Sequence, residues 1–505
     1  MSRIKIGWSK REYSMDVPCV INGQMYMRVS ERIHDPLYVT ALCVDGGEGG
    51  DMAIFLSCDL TVIRTSLTNL IFERIQEKNP EIPVDSIIVN ATHTHSSMCI
   101  YDTPEKSPDG KELYSGKKTR EHVAALAAEA IVEAYENRKE GGMAFGYGYA
   151  VVAHSRRVVY SKDQSVANPA SAAPNGRGVM YGNTAKPDFE SYEAGADHFL
   201  NVMYTFDEND KLTGIVVNVP CPSQLSEHFT MLSADYWNEV RECVKKEYGE
   251  DVFVLPQCAA AGDLSPRVLH YKQAQARRMA LKYDLGYDPK AAFSHTPDEY
   301  RKVMGERYDI AERILDGVRE VYAWARKDIQ KDIPVRHLKK TIAIHKRTVS
   351  DAEAAWCAEN IKNLEANMPK PEDCTPEEYR VKATSFQSYK GRNERAIERN
   401  RTESPDQTMD TIVHTVQVGE IAFATNRFEL YMDFMHQMQA RSPFIQTFVV
   451  QLAGDEGGTY LATERGVENR GYSASMFCNQ ASPLGGHELV EETLVMLQKM
   501  KEKDQ

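Results

Sequence analysis

Short apolar runs that end in polar, chemically active residues, each followed by a stretch of helical periodicity, recur along this chain and constrain its fold more than any other feature. "MAIFLSCDL" (52–60) leads to a helical pattern near 65–78, and "VDSIIVN" (84–90) leads into "ATHTHSS". "LTGIVVNVP" (212–220) precedes a helix from about Asp235, and "DVFVLPQ" (251–257) precedes "CAAAGDLSP". Further on, "EIAFAT" (420–425) precedes a helical pattern through "FELYMDFMHQM", and "FIQTFVVQLAG" runs into "DEGGTYLAT". The alternation predicts an α/β protein with a mixed β-sheet core and flanking helices. In open sheets of this kind, ligands bind just past the strand ends.

Two stretches break the pattern. Residues 161–196 are rich in Gly, Pro, Ala, Ser and Asn and read as a long loop, a candidate lid over the strand ends. Residues 268–405 are charged and helix-prone, with periodic runs near 297–327, 349–366 and 375–400, and read as a helical insertion beside the sheet. With 42% hydrophobic residues over 505 positions the chain can bury a substantial interior, and a single domain over 1–505 is expected. The 60 Lys and Arg against 73 Asp and Glu give a net charge of -13 with no long basic run, which argues against a nucleic-acid partner. No window approaches the ~20 apolar residues that span a bilayer, and "MSRIKIGWSK" lacks the apolar core of a leader, so a cytoplasmic protein without a transmembrane segment is expected. The ten cysteines are scattered without a CxxC pair and read as reduced, mostly buried small hydrophobes.

The chemistry concentrates at four strand ends. His93 and His95 lie two residues apart; if the chain is still extended there, both imidazoles project to one side and can face one site. They are candidate zinc ligands or a polar strand end, and the pair supplies at most two of the roughly three protein ligands that a catalytic zinc takes. In "AAAGDLSPR" Gly262 permits a tight turn, and Asp263 and Ser265 can aim polar groups into the same crevice. The stretch is not a GxSxG elbow, and its bland reading is a turn with a helix cap. Glu429 in "NRFELYMDF" opens a helical pattern after a strand, where the helix dipole favours a carboxylate with or without function. Tyr460 in "GDEGGTYLAT" follows three glycines that let backbone approach a ligand, or is a half-buried aromatic plug.

In order and interval, "THTHSS", "GDLSP", "RFE" and "TYLAT" resemble the THTHSG, GDVSP, P-G-E and G-Y-x-P-T segments of the neutral/alkaline (non-lysosomal) ceramidase family. "RIHDPLYVTALCVD" (32–45) and "LSADYW" (232–237) are weaker echoes of the same family, and the similarity runs thinly from about residue 3 to 500. The resemblance implies a zinc-dependent hydrolase of N-acyl (amide) bonds, built on that family's catalytic domain. It implies His93, Glu429 and Tyr460 as zinc ligands, His95 beside the water and the oxyanion, and Ser265, next to Asp263, as a hydroxyl of the pocket. Arg156 in "HSRRVVY" matches an arginine that donates to the scissile carbonyl. The family's further zinc histidine has no counterpart in "VNVPCPSQLSEH" (217–228), where Cys221 is the candidate replacement and His228 the alternative. The immunoglobulin-like domain and secretion signal of the family's long members are not seen. The expected substrate is a small N-acyl compound, lipid-like or more polar than ceramide. A fold of this type that lost its metal and only binds, and a metal-independent serine hydrolase using Ser265 with His95 as base, are the alternatives.

Overall fold

The computed structural model describes residues 3–164, 176–286 and 296–503. An eight-stranded sheet runs in the order Phe253–Cys258, Leu212–Val219, Phe199–Asp207, Lys139–Tyr149, Lys5–Glu12, Tyr38–Asp45, Met52–Cys58, Ile87–Ala91. Its two edge pairs are parallel and the pairs between them antiparallel, so it is a mixed sheet, as the sequence predicts. A second sheet orders Val335–His345, Thr408–Val418, Ile421–Thr425 and Gln446–Val450, the last two parallel.

The two sheets pack face to face. Leu42, Phe55, Ile88, Val216 and Leu255 of the large sheet share one apolar cluster with Val416, Phe423, Phe448 and Val450 of the small one. Phe423 sits at its middle, 4.8 Å from Phe55 and 4.6 Å from Phe448 between ring centroids. Helices cover the outer faces: Thr65–Lys78, Gly116–Glu136 and Pro297–Ala325 on the large sheet, and Met432–Arg441 and Pro483–Glu502 on the small one. Burial on both faces is why strands such as "IVVNV" are nearly continuous apolar runs and do not alternate with polar residues.

The region expected as a helical insertion holds four helices among its described residues, but also Val335–His345, an eleven-residue strand of the small sheet. That strand alternates buried and exposed positions near its end, "TIAIH", a period too short to stand out between long helical runs. Of the proposed lid, residues 165–175 lie outside the described residues. The part from 176 to 196 is partly ordered as strands, with Gly178–Met180 and Phe189–Tyr192 flanking Arg157–Tyr160 in a three-stranded sheet.

Candidate active site at the joined strand ends

The C-terminal ends of Ile87–Ala91, Phe253–Cys258, Ile421–Thr425 and Gln446–Val450 are stitched together by backbone hydrogen bonds. Ala91 N donates to Leu452 O, Gln451 N to Cys258 O, Asn426 N to Val450 O and Gly262 N to Leu430 O. Past these ends, Glu429–Leu430 and Tyr460–Leu461 form a short parallel pair in which Glu429 and Tyr460 are register partners. Gly262 packs directly against that pair: a Cβ there would lie 2.3 Å from Glu429 O. The glycine is therefore required by close approach and not by a left-handed turn.

The strand under the histidines stops at Ala91, and His93 takes a φ of 64°. The extended geometry assumed for the i, i+2 pair therefore does not hold. The rings still meet, with centroids 4.7 Å apart, because the left-handed residue turns His93 back toward its neighbour. His93 Nδ1 lies 2.7 Å from Thr61 O and donates to it, which leaves Nε2 as an acceptor. That Nε2 is 3.5 Å from Glu429 Oε2 and 3.2 Å from His95 Nε2. Arg156, fully buried, donates from Nη2 to Gly262 O at 2.8 Å and to the Tyr460 hydroxyl at 3.2 Å, and the same atom is 3.8 Å from Glu429 Oε2.

Electrostatics follow from this crowding. Burial opposes ionisation of Glu429, but the nearby His93 and Arg156 and a hydrogen bond with Tyr460 prevail and hold the carboxyl down at about 2. Burial, with Glu429 close by, pushes the Tyr460 phenol up against the pull of Arg156. Burial also lowers His95, His93 adding to the effect and Glu227 opposing it.

Asp263 and Ser265 are close to this cluster but engaged otherwise. Asp263 Oδ1 accepts from Met432 N, the first residue of the helix after Glu429, and its own carbonyl accepts from Arg156 N. Burial raises its carboxyl to about 6. Ser265 is buried in a two-residue strand paired with His154–Ser155; its Oγ accepts from Arg267 N, and no hydrogen bond joins it to His95. Cys221 is not brought to the cluster. Its Sγ faces Val152 O at 3.2 Å, and burial, with Cys258 adjacent, pushes its thiol well above the ordinary range. His228 stands at the pocket mouth, its side chain 45% exposed, with Nδ1 3.1 Å from Tyr26 OH.

A pocket of about 380 Å³ opens over His95, Arg156 and Tyr460, and its walls include Gln24, Tyr181, Gln224, Glu227 and Tyr472. These wall residues are absent from the sequence reading. Glu227 stands next to His228 in "SEH", and Arg267, which pairs with Glu227, directly follows "GDLSP", so adjacency to the motifs was the available signal. Gln24 and Tyr181 offered none.

Two sheets joined through their strand ends, with a His, Glu, Tyr and Arg cluster at the junction, define a neutral ceramidase-like fold. The chain superposes on the neutral ceramidase from Pseudomonas aeruginosa with a TM-score of 0.66 at 14% identity, covering 100% of this chain and 75% of that one. It superposes on a ceramidase complexed with C2 with a TM-score of 0.64 at 13% identity, covering 100% of this chain and 76% of that one. No family model and no curated protein matches the sequence.

Proposed function

We propose that the chain is a metal-dependent hydrolase that cleaves an N-acyl amide bond, with His93, Glu429 and Tyr460 as zinc ligands. The observation that carries this reading is the convergence of His93 with Glu429 and Tyr460, which lie far from it in sequence, beside Arg156 and His95, with His95, Arg156 and Tyr460 lining one pocket. Among the described residues no three His, Cys, Asp or Glu side chains are set to hold an ion by themselves. With the Tyr460 phenol counted, the set has the three protein ligands of a catalytic zinc and leaves a position open. The donor chemistry suits a cation: an imidazole nitrogen of His95 and a carboxylate oxygen of Glu429 lie 3.2 and 3.5 Å from His93 Nε2, whose lone pair is fixed by the Thr61 carbonyl. The fold likeness to the ceramidases adds support.

Zinc bound there would polarise the amide carbonyl and acidify a water, whose pKa falls from about 15.7 toward roughly 7 on such ions. The chain's own residues do the rest. His95 accepts the water's proton at Nε2 as the C–O bond forms and returns it to the amide nitrogen as the C–N bond breaks, giving a carboxylic acid and an amine. Arg156 faces the developing oxyanion, where one lost donor costs about 3 kcal/mol. The pocket walls carry Gln24, Gln224 and Glu227 beside Met25 and Met180, which favours an amide smaller or more polar than ceramide.

The test is a panel of N-acyl lipids, sugars and amino acids assayed with and without a strong chelator, alongside metal analysis of the pure protein. Hydrolysis abolished by the chelator and restored by zinc, with both metal and activity missing in His93→Ala, is the expected outcome. Activity that survives the chelator and disappears in Ser265→Ala would instead establish the serine hydrolase.

A further inference from the structure

We propose that Glu227 is a positioning residue that sets the tautomer of His95, an inference that rests on the hydrolase reading only for its kinetic consequence. The His95 backbone is held from several sides: its N–H donates to Ser223 O at 3.1 Å, Arg28 donates to its carbonyl, and a Cβ on Gly23 would lie 2.6 Å from its Cβ. What remains undetermined by backbone contacts is which ring nitrogen carries the proton. Nε2 lies 3.2 Å from His93 Nε2, which also offers a lone pair because His93 donates through Nδ1 to Thr61. This imidazole competes for the His95 proton with whatever faces Nδ1, and a carboxylate there is the stronger acceptor. At the other nitrogen, Nδ1 is buried with no head-on hydrogen bond, and Glu227 Oε2, 3.1 Å away, is the acceptor in reach.

Glu227 suits this role because its carboxylate is buried and takes hydrogen bonds from Arg267 and Gln24, with His228 Nε2 3.8 Å from Oε1. Arg267 pairs with Oε1, and Gln24 Nε2 donates to Oε2 at 3.0 Å. Arg267 in turn donates to Gln224 O at 2.9 Å and Leu225 O at 3.1 Å, clamping the segment that carries Glu227. An acceptor-only group surrounded by donors fixes the proton on His95 Nδ1 and leaves Nε2 as the base. Glu227 meets His95 at Nδ1, the ring nitrogen opposite the proposed base Nε2, so its effect on the base passes through the ring.

Glu227→Gln tests this sharply. The glutamine carbonyl is claimed by Arg267, so its NH2 faces His95 Nδ1 and drives the proton to Nε2, the wrong tautomer for a base. The measurement is the ring nitrogen spectrum of full-length protein labelled with ¹⁵N-histidine, with His95 assigned by its loss in His95→Gln. The wild type is expected to show the proton on Nδ1, and Glu227→Gln to show it on Nε2. On a substrate found by the panel above, kcat falls at least about tenfold while metal content stays within about twofold, and Glu227→Asp recovers part of the loss. An unchanged His95 signal, or kcat within about twofold of the wild type, overturns the assignment. If Glu227→Gln does not fold, Glu227→Asp decides: its shorter carboxylate still accepts, so a proton found on Nε2 there also overturns it. Should the wild type hydrolyse no amide, the hydrolase reading fails, while the ring signals still decide for or against Glu227.

Discussion

Cys221 and Asp263 show how a side chain's direction decides its chemistry. With its Sγ against Val152 O and its thiol kept protonated by burial, Cys221 is a core residue, and serine can make the same hydrogen bond. Cys221→Ser is therefore expected to leave metal content and hydrolysis within about twofold, read by metal analysis and initial rates. Asp263 is a different case, because burial raises its folded pKa to about 6 from the ordinary aspartate value of 3.8. The folded state thus binds a proton more tightly than the unfolded state. The contribution is fully present below about pH 4 and is lost as pH rises through about 6. At 1.36 kcal/mol per pKa unit, that loss amounts to about 3 kcal/mol. Urea unfolding across pH 4 to 7 should show this slope in the wild type and lack it in Asp263→Asn, whose side chain can still accept from Met432 N.

Among the elements, the short pair that carries Glu429 and Tyr460 depends on what lies behind it. Gly262→Ala would place a Cβ 2.3 Å from Glu429 O, and backbone cannot yield as a flexible side chain does. The pair has to shift, at an expected cost of about 1–3 kcal/mol in unfolding free energy. Because the shift separates Glu429 from His93, metal content and activity should fall together. The helix Pro376–Thr402 provides a contrast. Its capping box, Thr375 with Glu378, lies on the surface away from the pocket residues. Thr375→Ala should lower stability by about 1 kcal/mol in chemical denaturation and leave the rates unchanged.

At the level of the whole molecule, the site depends on the packing of one sheet on the other, since its four strand ends come from both. Phe423 is fully buried in that interface, and Phe423→Ala is expected to cost about 3–5 kcal/mol in unfolding free energy. Residual folded protein should show weakened metal retention, measured by dialysis against chelator. Much of this architecture is legible in the sequence. Apolar runs followed by helical periods announce an α/β sheet, and the polar clusters after those runs mark the binding edge, because strand length and burial on both faces are local properties, whereas the antiparallel pairing of most strands is not. The family resemblance singled out His93, Glu429, Tyr460 and Arg156, and their side chains lie within 3.8 Å of one another in sequence-distant pairs, His93 with Glu429 and Arg156 with both Glu429 and Tyr460. Tertiary structure alone decided that Glu429 and Tyr460 are register partners, that His93 turns through a positive φ, that Cys221 faces Val152, and that Glu227 and Arg267 stand behind His95. The physical reason is one of range: a strand or a helix is encoded within a dozen residues, whereas the direction of a side chain at a strand end is set by partners that folding brings from hundreds of residues away.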